Sequence, residues 1–307
     1  MKICVLYGGT SAEREVSLSS GKGIIEALKK KNHEVIGIDF KGTKECLQKI
    51  MNLDVDIFFI GLHGRLGEDG RVQGLLDLVN IPYVGSNVLG SALAMDKARS
   101  KKMFALKGIR VACEKLVEKH AFVEEQFSHE LSYPVVVKPN HEGSTIGLTI
   151  AQNEEELLGG IKAAFAHDDV VLLEEFISGR EVTVAVMGNK GEVKALPVVE
   201  IVPKNAYYDY ESKYAPGMSE HIVPARVSEE VTKLLQEQAV LAHASLGCDI
   251  YSRVDFIVPS DGTAPVILEV NTLPGMTPTS LYPDAAREIG LSYDDMIEKL
   301  VQLSLQK

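Results

Sequence analysis

The chain has 307 residues, 45% of them apolar and 24% charged, with 32 Lys plus Arg against 43 Asp plus Glu and a net charge of −11. That length and balance belong to a folded protein of two or three domains and exclude a disordered chain, a collagen and a disulfide miniprotein. The negative sum argues against non-specific nucleic-acid binding, which needs a positive field, but leaves room for small anions held by local cations.

The N-terminus, Met1-Lys-Ile-Cys-Val-Leu-Tyr7, breaks at Gly8-Gly9 and reads as a first strand rather than a signal peptide. Residues 16–30 carry Ile24, Ile25 and Leu28 on an apolar face and end in lysines, which suits a helix C-terminus. Residues 33–40 are strand-like, 45–51 a short helix and 57–62 a buried strand. Val72, Leu75, Leu76 and Val79 form a helical stripe, and 81–84 follow as a strand. Such alternation predicts a parallel sheet covered on both faces, with ligands beyond the carboxyl ends of its strands. Gly8-Gly9 and His63-Gly64 lie there and are candidate site loops.

Residues 91–106 read as one basic helix, with Lys97, Arg99, Lys101 and Lys102. A strand over 135–139 is cut off by Pro139 and followed by the loop Asn140-His-Glu-Gly-Ser-Thr-Ile-Gly147. Asn153 can cap a helix that begins with three glutamates. Residues 170–177 and 181–187 are strands around Ser178-Gly-Arg180, most simply a hairpin. A strand over 193–202, a tyrosine-rich polar loop over 203–225 suited to a lid, and a long helix with Val231, Leu234, Leu235, Gln238, Leu241 and Ala242 on one stripe come next. Two strands, 250–258 and 265–271, are joined by Ser260-Asp-Gly262. The four cysteines (Cys4, Cys46, Cys113, Cys248) form no CxxC, so a zinc ribbon is not expected and a reducing compartment is. No apolar run approaches the ~20 residues of a membrane span, and the expectation is a soluble, cytoplasmic protein.

The last strand pair carries the strongest chemistry. Residues two apart in a strand share a face, so Arg253 and Asp255 pair with Glu269 and Asn271. With the turn near Gly262, Asp255 lies opposite Glu269 and Arg253 opposite Asn271; Val254, Phe256, Val258, Val266, Leu268 and Val270 fill the other face. Hard oxygen donors without His or Cys suit Mg²⁺ completed by waters and phosphates; the alternative is a solvated edge hairpin. The prolines and glycine of Thr272-Leu-Pro-Gly-Met-Thr-Pro278 lock a loop beside this face that can offer backbone N–H groups to an oxyanion.

Lys97 and Lys138 are phosphate-binding candidates that could equally snorkel. The glycines of 142–147 let backbone approach phosphates; neither a Walker A nor a GxGxxG pattern is present. Val171-Leu-Leu-Glu-Glu-Phe-Ile177 is either an adenine wall or an ordinary buried strand. Glu13 is either an ammonium holder or an acid at a helix N-terminus, and His63, just past a buried strand, is either structural or part of a site.

Taken together the residues resemble the D-alanine–D-alanine ligases of the ATP-grasp superfamily. The likeness rests on Gly8-Gly-Thr-Ser-Ala-Glu-Arg-Glu-Val-Ser17, Leu62-His-Gly-Arg-Leu-Gly-Glu-Asp-Gly70, Met95-Asp-Lys97, Lys138-Pro139 with Glu142-Gly-Ser144, Tyr210-Glu-Ser-Lys-Tyr214, Arg253-Val-Asp255 and Glu269-Val-Asn-Thr-Leu-Pro-Gly-Met276. It implies an α/β ATP-grasp architecture: an N-terminal parallel-sheet domain over 1–95, and central (96–180) and C-terminal (181–307) α+β domains enclosing the nucleotide. It implies ATP-dependent joining of two D-alanines through an acyl phosphate for peptidoglycan precursors, with D-serine or D-lactate as alternative second substrates, and usually a homodimer. A nucleotide-binding regulator that has lost turnover is the alternative of another class.

By the same resemblance Asp255, Glu269 and Asn271 hold two Mg²⁺ (or Mn²⁺) ions, and a monovalent cation can assist. Lys97 and Lys138 contact phosphates, and Glu174, Phe176, Ile177 and Glu181 the adenosine. Glu13 binds the first D-alanine ammonium with His63 nearby; Ser144 and Tyr214 link to Glu13. Arg253 and the Gly275 backbone stabilise the oxyanion, and Lys213, Ser280 and Leu281 hold the second D-alanine. Asn140-His141 stands where relatives commonly carry other polar pairs.

Overall fold

The computed structural model describes residues 1–189, 191–203 and 219–307. Its first sheet is all parallel, in the order β2 (Glu34–Phe40), β1 (Lys2–Gly8), β3 (Ile57–Ile60), β4 (Tyr83–Val84). Ile3 to Leu6 and Ile57 to Ile60 are buried throughout, as continuous apolar strands covered on both faces must be. The strand expected over 57–62 ends at Ile60, where the chain turns into the His63-Gly64 loop, and that over 81–84 begins only at Tyr83, past the turn that follows α3. Helices α1 (Arg14–Lys30), α2 (Lys44–Met51) and α3 (Arg71–Leu78) connect them.

The predicted helix over 91–106 is two helices, α4 (Val88–Met95) and α5 (Lys97–Leu106). The break has a local cause: the Asp96 backbone is extended, and its side chain caps α5 by accepting from the Arg99 N–H at 3.0 Å. This cap sets Lys97 at the first position of α5.

An antiparallel sheet follows, in the order β5 (Glu114–Glu118), β8 (Val170–Glu175), β6 (Val135–Pro139), β7 (Thr149–Ala151). α6 (Glu154–Ala164) covers it, and Asn153 caps α6 as expected, accepting from the Glu156 N–H. Val135, Val137, Leu157, Ile161, Val171 and Leu173 form this sheet's own core.

The third sheet is antiparallel, in the order β11 (Ser219–Ile222), β10 (Lys194–Pro203), β9 (Gly179–Gly188), β12 (Ile250–Pro259), β13 (Val266–Asn271). The expected hairpin around 178–180 does not form. β8 stays in the four-stranded sheet while β9 pairs with β10 and β12, so the chain crosses between sheets there. Within the predicted loop 203–225, β11 pairs with β10; residues 204–218, with Lys213 and Tyr214, lie outside the described residues. α7 (Glu229–Ser245) packs on one face of this sheet, with Leu235, Ala239 and Ala242 against Val184, Val254 and Phe256. On the other face lie α8 (Leu281–Glu288) and α9 (Tyr293–Leu305), which also belong to the core of the first sheet: Tyr282, Met296, Ile297, Leu300 and Val301 are buried with Ile3, Leu6 and Phe58. The first sheet and the C-terminal helices therefore share one core.

All four cysteines are free. Among the described residues no helix is long and apolar enough to cross a membrane.

Candidate active site

The β12–β13 register pairs Arg253 with Asn271 and Asp255 with Glu269, as alternation and the Gly262 turn predict. A bulge between Asp255 and Phe256 then shifts the ladder by one residue. Ile267 takes the core place expected for Leu268, and Leu268 turns to a cavity wall instead. Asp255 is the hub of this face. Its Oδ1 accepts from Thr183 Oγ1 at 2.6 Å and Arg253 Nε at 2.9 Å, and its Oδ2 from Arg253 NH2 at 2.7 Å and Asn271 Nδ2 at 3.0 Å. Thr183 sits opposite Asp255 on β9, so only the true strand order reveals it.

Two cavities meet at this face. One, of about 680 Å³, is lined by Lys97, Lys138, the 142–148 loop, Glu174, Phe176, Ile177, Glu181, Asp255 and Glu269. The other, of about 320 Å³, is lined by Glu13, His63, Glu68, Ser144, Arg253, Asn271, Gly275, Ser280 and Leu281. Gly143, Ser144 and Glu269 border both. Asp255 thus faces the larger chamber, Arg253 the smaller, and Glu269 forms a wall between them.

Cations and acids are matched closely in the larger chamber. Lys97 Nζ donates to the Glu142 carbonyl at 2.6 Å and lies 3.3 Å from Glu269 Oε2. Glu174, expected at the adenine edge, is only 3% exposed and takes Lys138 at 2.5 Å on Oε2 and Lys101 on Oε1. Burial lowers Lys101 to about 8. Ser144 and Thr145 both stand at positive φ (53° and 63°), an uncommon backbone for side-chain-bearing residues. Ser144 Oγ is held there by donating to Glu13 Oε1.

The smaller chamber is acidic at one end and offers donors at the other. Glu13, 6% exposed, projects from the turn before α1. Gly64 (φ +67°) lets the backbone pass beneath it, since a Cβ there would lie 2.7 Å from Glu13 Oε2. His63 lines the chamber with both ring nitrogens engaged: Nδ1 lies 2.9 Å from the Leu273 carbonyl and Nε2 3.0 Å from Ser20 Oγ. A carbonyl only accepts, so the proton is on Nδ1, Ser20 donates to Nε2, and Ser20 Oγ in turn accepts from the Met276 N–H at 3.2 Å. Burial holds the imidazole below its ordinary pKa, hence neutral. His63 therefore fixes the 272–276 loop to the end of the first sheet.

Glu68, not singled out by sequence, also lines this chamber. Its Oε2 accepts from the Gly64 N–H at 2.7 Å, and burial, with the neighbouring Glu13 charge, pushes its carboxyl up to about 8. Its signal was its place in Gly67-Glu-Asp-Gly70, a tight acidic turn beyond a strand end. At the opposite end Ser280 Oγ lies 2.7 Å from Thr277 Oγ1 and accepts from the Thr277 N–H, leaving the N-terminus of α8 without a side-chain cap. A helix N-terminus in a cavity favours a carboxylate.

The donor chemistry can be tested against the expected metal. Among the described residues no three His, Cys, Asp or Glu side chains gather as a cage. The set on this face is two carboxylates and one amide oxygen, which fits Mg²⁺, an ion that keeps waters and is completed by substrate phosphates.

The family model described as the D-ala D-ala ligase C-terminus matches residues 103–302, and the one described as the N-terminus matches 2–51 and 42–86. A D-alanine–D-alanine ligase of Halalkalibacterium halodurans is 69% identical over 307 residues, 100% of both chains. The chain belongs to the D-alanine–D-alanine ligase family. Among solved members, the Bacillus anthracis D-alanine–D-alanine ligase complexed with ATP matches with a TM-score of 0.86 at 32% identity, covering 100% of this chain and 98% of that one. The VanG D-Ala:D-Ser ligase of Enterococcus faecalis matches with a TM-score of 0.83 at 34% identity, covering 99% of each. In this ligase fold the sixteen expected site residues that are described all border the two chambers; Lys213 and Tyr214 are the two that lie outside the described residues.

Proposed function

We propose that the chain joins two D-alanine molecules to D-alanyl-D-alanine at the cost of ATP, for peptidoglycan precursors, in the cytoplasm and as a homodimer. The observation that carries this reading is the pair of chambers sharing Glu269 as a wall, one suited to a nucleotide and one to a zwitterionic amino acid.

A carboxylate acylates poorly, so it is first activated. The D-alanine ammonium rests on Glu13, which places the substrate carboxylate toward Gly143, Ser144 and Glu269. Lys97 and Lys138 hold the ATP phosphates, and Glu174, Phe176, Ile177 and Glu181 the adenosine. Asp255, Glu269 and Asn271 would hold two Mg²⁺ or Mn²⁺ ions, which when bound neutralise phosphate charge. Carboxylate oxygen attacks the terminal phosphorus, ADP leaves, and an acyl phosphate forms. The second D-alanine sits with its carboxylate at Ser280, Leu281 and the α8 N-terminus, assisted by Lys213. Its amine attacks the acyl carbon; Arg253, braced by Asp255, and the Gly275 N–H stabilise the oxyanion as phosphate departs. Ser144 and Tyr214 close on Glu13 and keep water from the acyl phosphate.

Phosphate release is to be measured with MgATP and D-alanine, L-alanine, or no amino acid, and the product identified with D-serine and D-lactate as competitors. D-alanine alone should give release, and dipeptide should predominate. Equal release in all three arms leaves an ATPase and removes the ligase reading.

A further inference from the structure

Beyond the chambers, one ionic cluster joins parts of the molecule whose cores are separate. His141 follows β6 and leads into the 142–147 loop. Its N–H donates to Asp168 Oδ2 at 2.7 Å, and its Nδ1 lies 2.9 Å from the same oxygen. Its Nε2 lies 3.3 Å from Asp96 Oδ2. Nε2 also lies 3.1 Å from Asn140 Nδ2, whose own hydrogen bond runs to Asp96 Oδ1; the ring is satisfied with a proton on each nitrogen, Nδ1 donating to Asp168 and Nε2 to Asp96.

The two carboxylates belong to different bodies. Asp96 caps α5, whose Phe104 is buried with Val184, Val254 and Phe256 of the five-stranded sheet. Asp168 stands between α6 and β8, in the four-stranded sheet with its own core, and its Oδ1 accepts from the Val170 N–H at 3.1 Å. Asn140 makes a neutral link beside the ionic one: its Nδ2 donates to Asp96 Oδ1 at 3.0 Å and its Oδ1 accepts from the Ala98 N–H at 2.9 Å. The other charged groups at this seam are Arg99 on α5, which pairs with Asp96, His167 beside Asp168, and Glu142 and Lys97 across the loop.

We propose that His141 is a positioning residue, a protonated strut between Asp96 and Asp168 that fixes the 142–147 loop for the phosphates of ATP. The proposal rests on the reading of that loop as the phosphate cover. What the strut positions is concrete: the next residue supplies the carbonyl that receives Lys97, and Ser144 three residues on reaches Glu13. Hydrogen bonds to Asp168 and then to Asp96 raise the imidazole from its ordinary 6.5 to about 9. Burial opposes ionisation of Asp96, but His141, Asn140 and Arg99 hold it well below the usual carboxylate range. A cation whose pKa is raised by its partners contributes fully below 6.5, and the contribution is lost as pH rises through about 9.

Two measurements test the strut. The imidazole resonances of His141, assigned by their absence in His141→Asn, should titrate near pH 9 in the protein without nucleotide; titration near 6.5 overturns the proposal. MgATP affinity is then followed by calorimetry from pH 7 to 10. Wild type should weaken roughly three- to fivefold above pH 8, as befits a half-exposed ion pair. His141→Asn should be weakened by that amount already at pH 7 and change no further through this group, while His141→Arg, a cation that does not titrate, should stay tight. Equal affinity of wild type and His141→Asn at pH 7, or the same alkaline loss in all three proteins, overturns it. A protein that binds ATP in this pattern yet forms no dipeptide would sink the ligase reading and leave the strut standing.

Discussion

Replacing Gly64 by alanine places a methyl group 2.7 Å from Glu13 Oε2 and 3.1 Å from both Cβ and Oγ of Ser11. Contact distance is about 3.5 Å, so the Glu13 carboxylate must retreat by about 0.8 Å. The φ of +67° adds a backbone cost of about 1–2 kcal/mol for an L-residue. If the retreat removes one charge-assisted hydrogen bond to the substrate ammonium, about 1.5–3 kcal/mol is lost, which is ~10- to 150-fold in kcat/KM. The assay is ADP release against D-alanine concentration at saturating ATP, with KM for ATP measured separately. The D-alanine term should fall within that range while KM for ATP changes little, because the collision lies in the smaller chamber. Gly290→Ala is the control: its φ is +78° but nothing lies within 4 Å of the new methyl, so it carries the backbone cost alone. Matching stability losses in both variants, with kcat/KM for D-alanine in Gly64→Ala within threefold of wild type, would refute the placement of Glu13 against the substrate.

Asp255→Asn and Glu269→Gln should each abolish Mg²⁺-dependent turnover, by ~10²-fold or more, with an unchanged circular dichroism spectrum; activity retained in both excludes them as ligands. Thr183→Val removes the 2.6 Å donor to Asp255 without changing shape, and should cost about 1–3 kcal/mol in a urea melt and lower kcat more than it raises KM. A wild-type melt in Thr183→Val would show the bond to be idle. Glu68 has a carboxyl raised to about 8, so the folded protein binds its proton more tightly than the unfolded chain does. Its contribution to stability is present below about 4.5 and declines as pH rises toward 8. Wild type should therefore lose stability relative to Glu68→Gln across that window; parallel curves would exclude the shift.

The pairing of Arg253 and Asp255 with Asn271 and Glu269 was legible because it is local. Alternation in 250–258 and 265–271, with Ser260-Asp-Gly262 between them, fixes the pairing of Asp255 with Glu269 without knowledge of any other strand. The bulge that turned Leu268 outward leaves no mark in residue type. β8 and β9 read as a hairpin because nothing in Phe176-Ile-Ser178 says that the chain changes sheets, and with β9 misplaced Thr183 could not be seen beside Asp255. His63 shows the same limit: its partners Ser20 and Leu273 come from distant parts of the chain, and only packing unites them. The break at Asp96, by contrast, had a local signal, an acid directly before the basic run Lys97–Lys102, which the reading of 91–106 as one basic helix passed over.

The docking of α9 on the first sheet has a consequence for synthesis. Met296, Ile297, Leu300 and Val301 are 0% exposed in a core shared with α1, β3 and β4, made more than two hundred positions earlier, and burying each contributes about 1.5–3 kcal/mol. One flank of the opening sheet therefore stays uncovered until α9 has been made. A chain stopped before Tyr293 should show fast amide exchange over Ile57–Ile60, and slow exchange there would mean that the sheet matures before α9 is made.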